Sequence, residues 1–278
     1  MSVGRAALAL ALQCAAVGVV AGVAQQPGAV PTRSPRAPQD RCVACHGRLG
    51  DTTGAGHGFA AWRASPHAAA GVNCEACHGG NPAAGDAAAA HQGVRRSRDP
   101  ASPLFFSSIP NTCGRCHAGE AAYFRTSLHY ARLESDGRGP NCVTCHGSMA
   151  TSVLTPARLL GTCSACHVEG GVALPEKAHE AARVLALVQV ENILFDVVST
   201  DAAARHGVRG AARAGVLLGD AQRHLNAAAE VWHSFRLDSA AARLGDARQT
   251  IVEAWEALGH PAPSESIIRR PPRGGSGR

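Results

Sequence analysis

The chain has 278 residues, a formal net charge of +6 and only 4% aromatic residues. This length allows one large domain or two modest ones, and so few aromatic side chains fill a protein interior poorly. Four of the arginines lie at the C-terminal end, at Arg269, Arg270, Arg273 and Arg278. The positive charge therefore indicates a solvated surface rather than a nucleic-acid-binding one.

Residues 1–24 have the pattern of a signal peptide. Arg5 precedes an apolar run at 6–24, and the small residues Gly22 and Ala24 precede a cleavage position at Gln25. The run approaches the ~20 residues that a bilayer-spanning helix needs, so a retained N-terminal anchor is the alternative. We expect a periplasmic protein in which the proline-rich residues 25–39 form a linker.

Five Cys-x-x-Cys-His sequences, which we number motifs 1 to 5, lie within residues 40–174. In such a motif both thiols form thioether bonds to haem, and the histidine becomes an axial ligand of the iron. The predicted attachment residues are Cys42, Cys45, Cys74, Cys77, Cys113, Cys116, Cys142, Cys145, Cys163 and Cys166. The predicted motif ligands are His46, His78, His117, His146 and His167. We therefore predict five covalently bound haem c groups.

Structural zinc and disulfide bonds are the alternatives to haem. Ten of the eleven cysteines lie inside the motifs. Tetrahedral zinc would take Cys-x-x-Cys units two at a time, which five units do not allow, and it would not require a histidine after each. Cysteines so close in sequence are more often redox or ligand pairs than structural disulfides. Haem would also supply an apolar interior, so we expect residues 40–174 not to fold without it.

An internal repeat indicates the second axial ligands. Trp62–His67 aligns with Phe124–His129 as aromatic-Arg-x-Ser-x-His, and both segments lead into Gly-x-Asn-Cys at the next motif. After Met1 the sole methionine is Met149, so histidine is the expected ligand. The predicted distal ligands are His67 and His129, followed by His91, His179 and His57. Two histidines on each iron leave no open position, which favours electron transfer.

Four other histidines receive weaker interpretations. His206 and His260 are expected to be solvated. His224 and His233 lie on opposite faces of one predicted helix. His233, between Trp232 and Phe235, could reach a haem, but burial on a helix face is the commoner explanation.

Beyond Pro175 the sequence predicts three amphipathic helices. The first covers Glu176–Ser199, the second is capped by Asp201 and runs to about Phe235, and the third is capped by Asp238. They predict an antiparallel bundle over 175–260 that packs on the haem domain or on a second subunit. Residues 261–278 are predicted to be a disordered tail. The expected fold is mainly α with extensive loops: a domain built around stacked haems, then the bundle.

The two aromatic-Arg-x-Ser-x-His frames, each followed by Cys-x-x-Cys-His-Gly, resemble the multihaem cytochromes c of bacterial respiration over residues 40–170. That group includes cytochrome c3, the tetrahaem cytochromes of nitrifying bacteria, quinol dehydrogenases of the NapC/NirT type, and the pentahaem nitrite reductases and hydroxylamine oxidoreductases. The resemblance implies that His67 and His129 are distal ligands, usually of a haem other than the nearest in sequence.

Two departures from that group favour electron transfer over catalysis. The nitrite reductases carry a lysine in place of one motif histidine, whereas all five motifs here end in histidine. The hydroxylamine oxidoreductases use a tyrosine bonded to a haem, and nothing singles out Tyr123 or Tyr130 for that role.

We expect a periplasmic electron carrier between a donor, either a quinol dehydrogenase or another cytochrome, and a terminal reductase. One alternative is an oxidoreductase acting on a small nitrogen or sulfur compound at one open haem, so enzymatic activity stays open and no catalytic residue is predicted. Another is a membrane-anchored quinol dehydrogenase, which requires residues 6–24 to be retained. A homodimer through the C-terminal helices is a further expectation.

Overall fold

The computed structural model describes residues 40–50, 58–152, 154–167 and 175–262. The predicted signal peptide, the proline-rich linker, His57 and most of the predicted tail lie outside these ranges. Within them, no helix is both long enough and apolar enough to span a bilayer.

The described residues form α-helices and one 3-10 helix joined by loops, with no β-strand among them. Ten short helices cover the motif region, which we define as residues 40–167: α1 Arg41–His46, α2 Phe59–Arg63, α3 Pro66–Ala69, α4 Glu75–His78, α5 Ala87–Ala90, α6 Ile109–Cys113, α7 Ala118–Phe124, α8 Leu128–Asp136, α9 Cys142–His146 and α10 Pro156–Ser164. The 3-10 helix covers Phe106–Ser108. The predicted mainly α fold with extensive loops is confirmed.

Side-chain caps start many of these short helices. In each case a side-chain oxygen accepts a hydrogen bond from the backbone N–H three residues further on, as at Asp40, Ser65, Asp86, Ser127, Asn141 and Thr155. Helices of four to nine residues are not stable alone. Caps satisfy their unpaired N–H groups and fix where each begins, so the positions of the motifs depend on loop chemistry as much as on packing.

Three long helices follow: α11 Pro175–Ala204, α12 Ala211–Trp232 and α13 Leu237–Ala257. Fully buried alanines recur every seven residues on α12 and α13, at Ala214, Ala221, Ala228, Ala240, Ala247 and Ala254. Buried larger residues alternate with them, at Leu218, Leu225, Trp232, Leu237, Leu244, Ile251 and Leu258. This spacing of three and four is that of coiled-coil helices, and the alanines let the two backbones approach closely.

The structure differs from the sequence prediction at two helix starts. Asp201 does not cap the second helix, because α11 continues to Ala204. Its carboxylate instead accepts hydrogen bonds from Arg205 (3.0 Å) and His260 (2.7 Å). The second helix starts only after Gly210, whose φ of 89° favours glycine. The third helix begins after Arg236 without a side-chain cap, so the predicted cap at Asp238 was also wrong.

The bundle and the motif region share one hydrophobic cluster. Leu154 and Leu159, beside motif 5, join the buried residues of α11 to α13. Gln189 on α11 donates from Nε2 to the carbonyl oxygen of Leu154 at 3.1 Å. On its other side α11 is tied to α13 by a buried carboxylate, since Arg248 Nε donates to Glu191 Oε1 at 2.8 Å. The last motif is therefore held against the bundle.

Candidate haem-attachment sites

Each motif occupies one helical turn. Motifs 1 and 4 lie inside α1 and α9, and motif 2 lies at α4. In motifs 3 and 5 the helix ends near the first cysteine, but the turn continues: His117 and His167 donate their N–H to the carbonyl of the first cysteine at 2.9 and 2.8 Å. Residues at i, i+3 and i+4 share one helix face. Both thiols and the imidazole of a motif therefore emerge on the same side.

Four motif histidines face a histidine from elsewhere in the chain. The separations between ring centroids are 5.9 Å for His46 and His91, 6.0 Å for His117 and His67, 6.1 Å for His167 and His129, and 6.2 Å for His146 and His233. Four pairs, two from the repeated Ser-x-His frame and two from other parts of the chain, thus show nearly the same spacing.

This spacing matches two imidazoles on opposite sides of one metal ion. With a metal–nitrogen bond of about 2.0 Å and a nitrogen about 1.1 Å from its ring centre, the two centroids would be separated by about 6.2 Å. The gaps therefore fit a six-coordinate iron between each pair.

Hydrogen bonds select the tautomer that a metal requires. Nδ1 of His91, His146 and His233 lies 2.7, 3.1 and 2.7 Å from the backbone carbonyl oxygens of Ala87, Ser152 and Ala229. A carbonyl oxygen can only accept, so Nδ1 carries the proton and donates. Nε2 then keeps its lone pair, as in metal-bound histidines held by an outer hydrogen bond.

Burial favours the neutral, metal-binding form of three distal histidines. It is the main cause lowering the pKa of His67, His129 and His233 below the ordinary value. The facing motif histidine lowers the pKa of each of them further. An imidazole that stays neutral at pH 7 has a lone pair available for a metal.

The repeated serine has a structural role. Buried Ser65 and Ser127 cap α3 and α8, accepting from the N–H groups of Ala68 (3.2 Å) and Tyr130 (3.1 Å). His67 and His129 are the second residues of these helices. Ser-x-His thus fixes a helix start and aims a histidine from its first turn. His67 faces motif 3 rather than motif 2, which follows it, and His129 faces motif 5 rather than motif 4.

The turn after α12 contributes a residue to which sequence reasoning gave less weight. Half-buried His233 faces His146, and Phe235 packs edge-on against His129 at a centroid distance of 4.4 Å. Phe235 has a φ of 60°, unusual for a residue other than glycine. In the sequence, a histidine at an apolar position of a predicted helix cannot be distinguished from an ordinary core residue. Its place at the helix end between Trp232 and Phe235 was the available signal.

Other predicted ligands are placed differently. His179 is exposed near the start of α11, and among the described residues it faces no motif histidine. His57 lies outside the described ranges, while His78 lines a cavity together with Cys42, His46 and Cys74. His206 is exposed, as expected. His260 was also expected to be solvated, but its ring stacks on that of Trp255 with a centroid distance of 3.6 Å.

Motifs 1, 2 and 3 are neighbours in space. The backbone N–H of Arg41, directly before motif 1, donates to the carbonyl of Pro82, just beyond motif 2, at 3.1 Å. Burial, together with nearby Asp40 and Cys74, raises the pKa of Cys42 to about 11. Motifs 2 and 3 are joined directly, because Arg115 Nη2 donates to the carbonyl of Ala76 at 2.7 Å.

Motifs 3, 4 and 5 continue the series. A hydrogen bond from the Cys113 thiol to Cys142 raises the pKa of Cys113 and lowers that of Cys142. Burial raises the pKa of Cys145 to about 11, with further contributions from Cys163 and Cys166. The five motifs are therefore arranged in space in the order of the sequence.

The donor set matches haem c rather than zinc. Each described imidazole pair lies beside two thiols of its motif, as thioether attachment and two axial ligands require. In the described parts of the chain, no three His, Cys, Asp or Glu side chains converge as they would around a metal ion.

Two thiols and a histidine on one helical turn are the haem-attachment arrangement of the c-type cytochromes, a class of electron-transfer proteins with covalently bound haem. A family model described as cytochrome c554 and c-prime matches residues 21–79, a segment containing motifs 1 and 2 and the first Ser-x-His frame. The match supports a relationship to the cytochromes c and hence covalent haem c. No curated protein and no solved structure matches the chain.

Proposed function

We propose that the chain is an exported electron carrier that holds five haem c groups, one at each motif. The observation that supports this most is the set of four His–His gaps of 5.9 to 6.2 Å, each beside a Cys-x-x-Cys-His turn. When bound, haem c supplies one-electron redox chemistry.

The protein side chains in this proposal hold the iron and exclude other ligands. Two imidazoles at each described pair would hold the iron and would leave no ligand position there for a substrate. The carbonyl hydrogen bonds of His91, His146 and His233 fix the ring orientation and make the ligating nitrogens more basic. Of the predicted distal ligands, His57 and His179 stay candidates for motif 2 from the sequence alone.

The spatial order of the motifs supports a route along the chain. Motifs 1 and 5 are the two ends of the series, so donor and acceptor would dock at opposite ends. We propose a quinol dehydrogenase or another cytochrome as the donor, a terminal reductase as the acceptor, and the periplasm as the location.

The first test is to count the haems and determine their spin states. The mature protein should contain five haems per chain by pyridine haemochrome assay and by intact mass, and the oxidised form should give low-spin EPR signals only. A colourless protein, or fewer than five haems, would contradict the proposed number. A high-spin signal in the wild type would instead support an enzyme with one open haem.

The second test addresses the ligand pairing. His233→Ala should convert one of five haems to a high-spin form, because His146 would lose its facing imidazole. His206→Ala, which removes an exposed histidine just beyond the end of α11, is the matched control and should leave the EPR spectrum unchanged. An unchanged spectrum for His233→Ala would refute the assignment at motif 4. N-terminal sequencing of the mature protein decides between the soluble carrier and the anchored quinol dehydrogenase.

A further inference from the structure

Two carboxylates lie at motifs 1 and 2. Asp40 directly precedes α1, and its Oδ1 accepts from the backbone N–H of Val43 in motif 1 at 3.2 Å. Glu75 is the first residue of α4 and lies between the two cysteines of motif 2. One oxygen of each, Oδ2 of Asp40 and Oε2 of Glu75, is buried without a hydrogen-bond partner among the described residues. A buried carboxylate oxygen of this kind is costly, so its presence needs a reason.

Both carboxylates act on both motifs. Burial, together with Asp40 and Glu75, raises the pKa of the Cys42 thiol. The same three causes raise the pKa of Cys74. The two negative charges are therefore close to the first attachment cysteine of motif 1 and to that of motif 2, where we propose that haem binds.

Motifs 3 and 4 have cations beside them instead. Arg115 and Arg125 donate to a backbone carbonyl and to an amide oxygen, at 2.7 and 3.0 Å. These acceptors are neutral and leave the positive charges uncancelled. The hydrogen bond with Cys142 raises the pKa of Cys113, and Arg115 opposes this rise. The same hydrogen bond lowers the pKa of Cys142, and Arg125 lowers it further.

The sign of the local charge thus changes between motifs 2 and 3. Burial raises the pKa of Cys77 in motif 2, Arg115 lowers it and Glu75 raises it. A ferric site that accepts an electron gains a negative charge, so a nearby carboxylate lowers its reduction potential and a nearby cation raises it. The buried carboxylate oxygens should have the larger effect, because Arg115 and Arg125 are exposed and water and salt screen them.

We propose that Asp40 and Glu75 lower the reduction potentials at motifs 1 and 2, so that electrons enter the protein at motif 1 and move towards motif 5. This inference rests on the proposed function, because it requires haem at the motifs. Each step passes one electron from a ferrous to a ferric site. The entering electron comes from the reduced donor protein, which is oxidised, and the leaving electron reduces the acceptor protein.

A redox titration of the haem-loaded protein, followed by its visible spectrum, tests the proposal. Asp40→Asn removes the charge and keeps a side chain that can cap α1, and Glu75→Gln removes the charge at nearly constant volume. Each should raise the one-electron equilibrium constant of the lowest-potential component about tenfold, which is about 59 mV. Glu134→Gln is the matched control, because Glu134 is exposed on α8, and it should leave every component in place.

A second titration shows at which motif the change occurs. His91→Ala should create a high-spin site at motif 1 and His233→Ala one at motif 4, so EPR can follow each site separately. The midpoint potential at motif 1 should be lower than that at motif 4. Adding Asp40→Asn should raise the midpoint at motif 1 and leave the one at motif 4 in place.

Two results would overturn the proposal. One is a lowest-potential component that neither charge-removing variant moves, or that Glu134→Gln moves equally. The other is a midpoint at motif 1 equal to or above that at motif 4. Either result in a protein with five haems would leave the proposed electron carrier intact, whereas a protein without haem would contradict the proposed function as well.

Discussion

The motif region and the bundle are stabilised by different interactions. Of the 25 buried hydrophobic side chains among the described residues, nineteen belong to residues 175–262 and none precedes Ile109. The bundle fills its interior with alanine and leucine at coiled-coil spacing. The motif region relies on helix caps, close backbone contacts and facing imidazoles. One part of the molecule has its own core, and the other carries the thiols and imidazoles where we propose that haem binds.

The largest expected effect tests whether the motif region, unlike the bundle, needs haem in order to fold. If the protein is produced without haem attachment, the motif region should lose its structure, whereas α11 to α13 should stay helical. Limited proteolysis with mass spectrometry should then show cleavage within 40–152 on the order of a hundredfold faster than in the haem-loaded protein. A haem-free protein with a protease-resistant motif region would contradict this prediction.

The next effect concerns the bundle alone. Leu244 is buried between the long helices, so Leu244→Ala should cost about 2–5 kcal/mol of unfolding free energy through lost contacts and a cavity. Chemical denaturation followed by far-UV circular dichroism measures the cost, and the EPR spectrum of the folded variant should not change. The control is Leu49→Ala in the motif region, where the side chain is 42% exposed and little stability should be lost. High-spin haem in folded Leu244→Ala would show that the two regions are not separable.

A smaller effect tests whether the motif region depends on its caps. Ser127→Ala should destabilise the start of α8 by about 1 kcal/mol, because the N–H of Tyr130 loses its acceptor. His129 would then be held less firmly, and the high-spin fraction of the oxidised protein should rise. Ser135→Ala, at an exposed position of the same helix, is the control. Equal spectra for the two variants would argue against a positioning role for Ser127.

The smallest effect depends on pH. Hydrogen bonds from His260 and Arg205 lower the pKa of Asp201 below its ordinary value. A lowered folded-state pKa stabilises the protein above the ordinary Asp pKa of about 4, and this contribution is lost as the pH falls through the folded value. The stability difference between wild type and Asp201→Asn should be present at pH 6 and should shrink below about pH 4. A difference that is unchanged at pH 3 would contradict this linkage.

Local features were predictable from the sequence, and long-range ones were not. The motifs, the Ser-x-His frames and the apolar period of α13 are patterns of residues that lie close together in the sequence. Which imidazole faces which motif depends on contacts between residues far apart in sequence, and no local pattern encodes them. His233 illustrates the limit. The local sequence around a histidine on an apolar helix face is the same whether that histidine faces a motif histidine or packs in the core.

Helix boundaries show the same limit. Asp201 has the residue type of a cap, but the apolar pattern of α11 continues through it, and Asp201 binds Arg205 and His260 instead. The break comes at Gly207 and Gly210, both with positive φ. Both glycines lie within the span predicted for the second helix, whereas in the structure they separate two helices.

The position of His233 has a consequence for biosynthesis. The chain is synthesised from its N-terminus, and in the proposed exported protein it would also cross the membrane in that order. His233 lies well beyond the last Cys-x-x-Cys-His turn. In the proposed cytochrome, all five attachment reactions can therefore be complete before the partner of His146 has emerged. Coordination at motif 4 would be finished last, when α12 docks, so the bundle would act as the closing step of maturation, and a chain truncated before α12 would be haem-loaded but incompletely ligated.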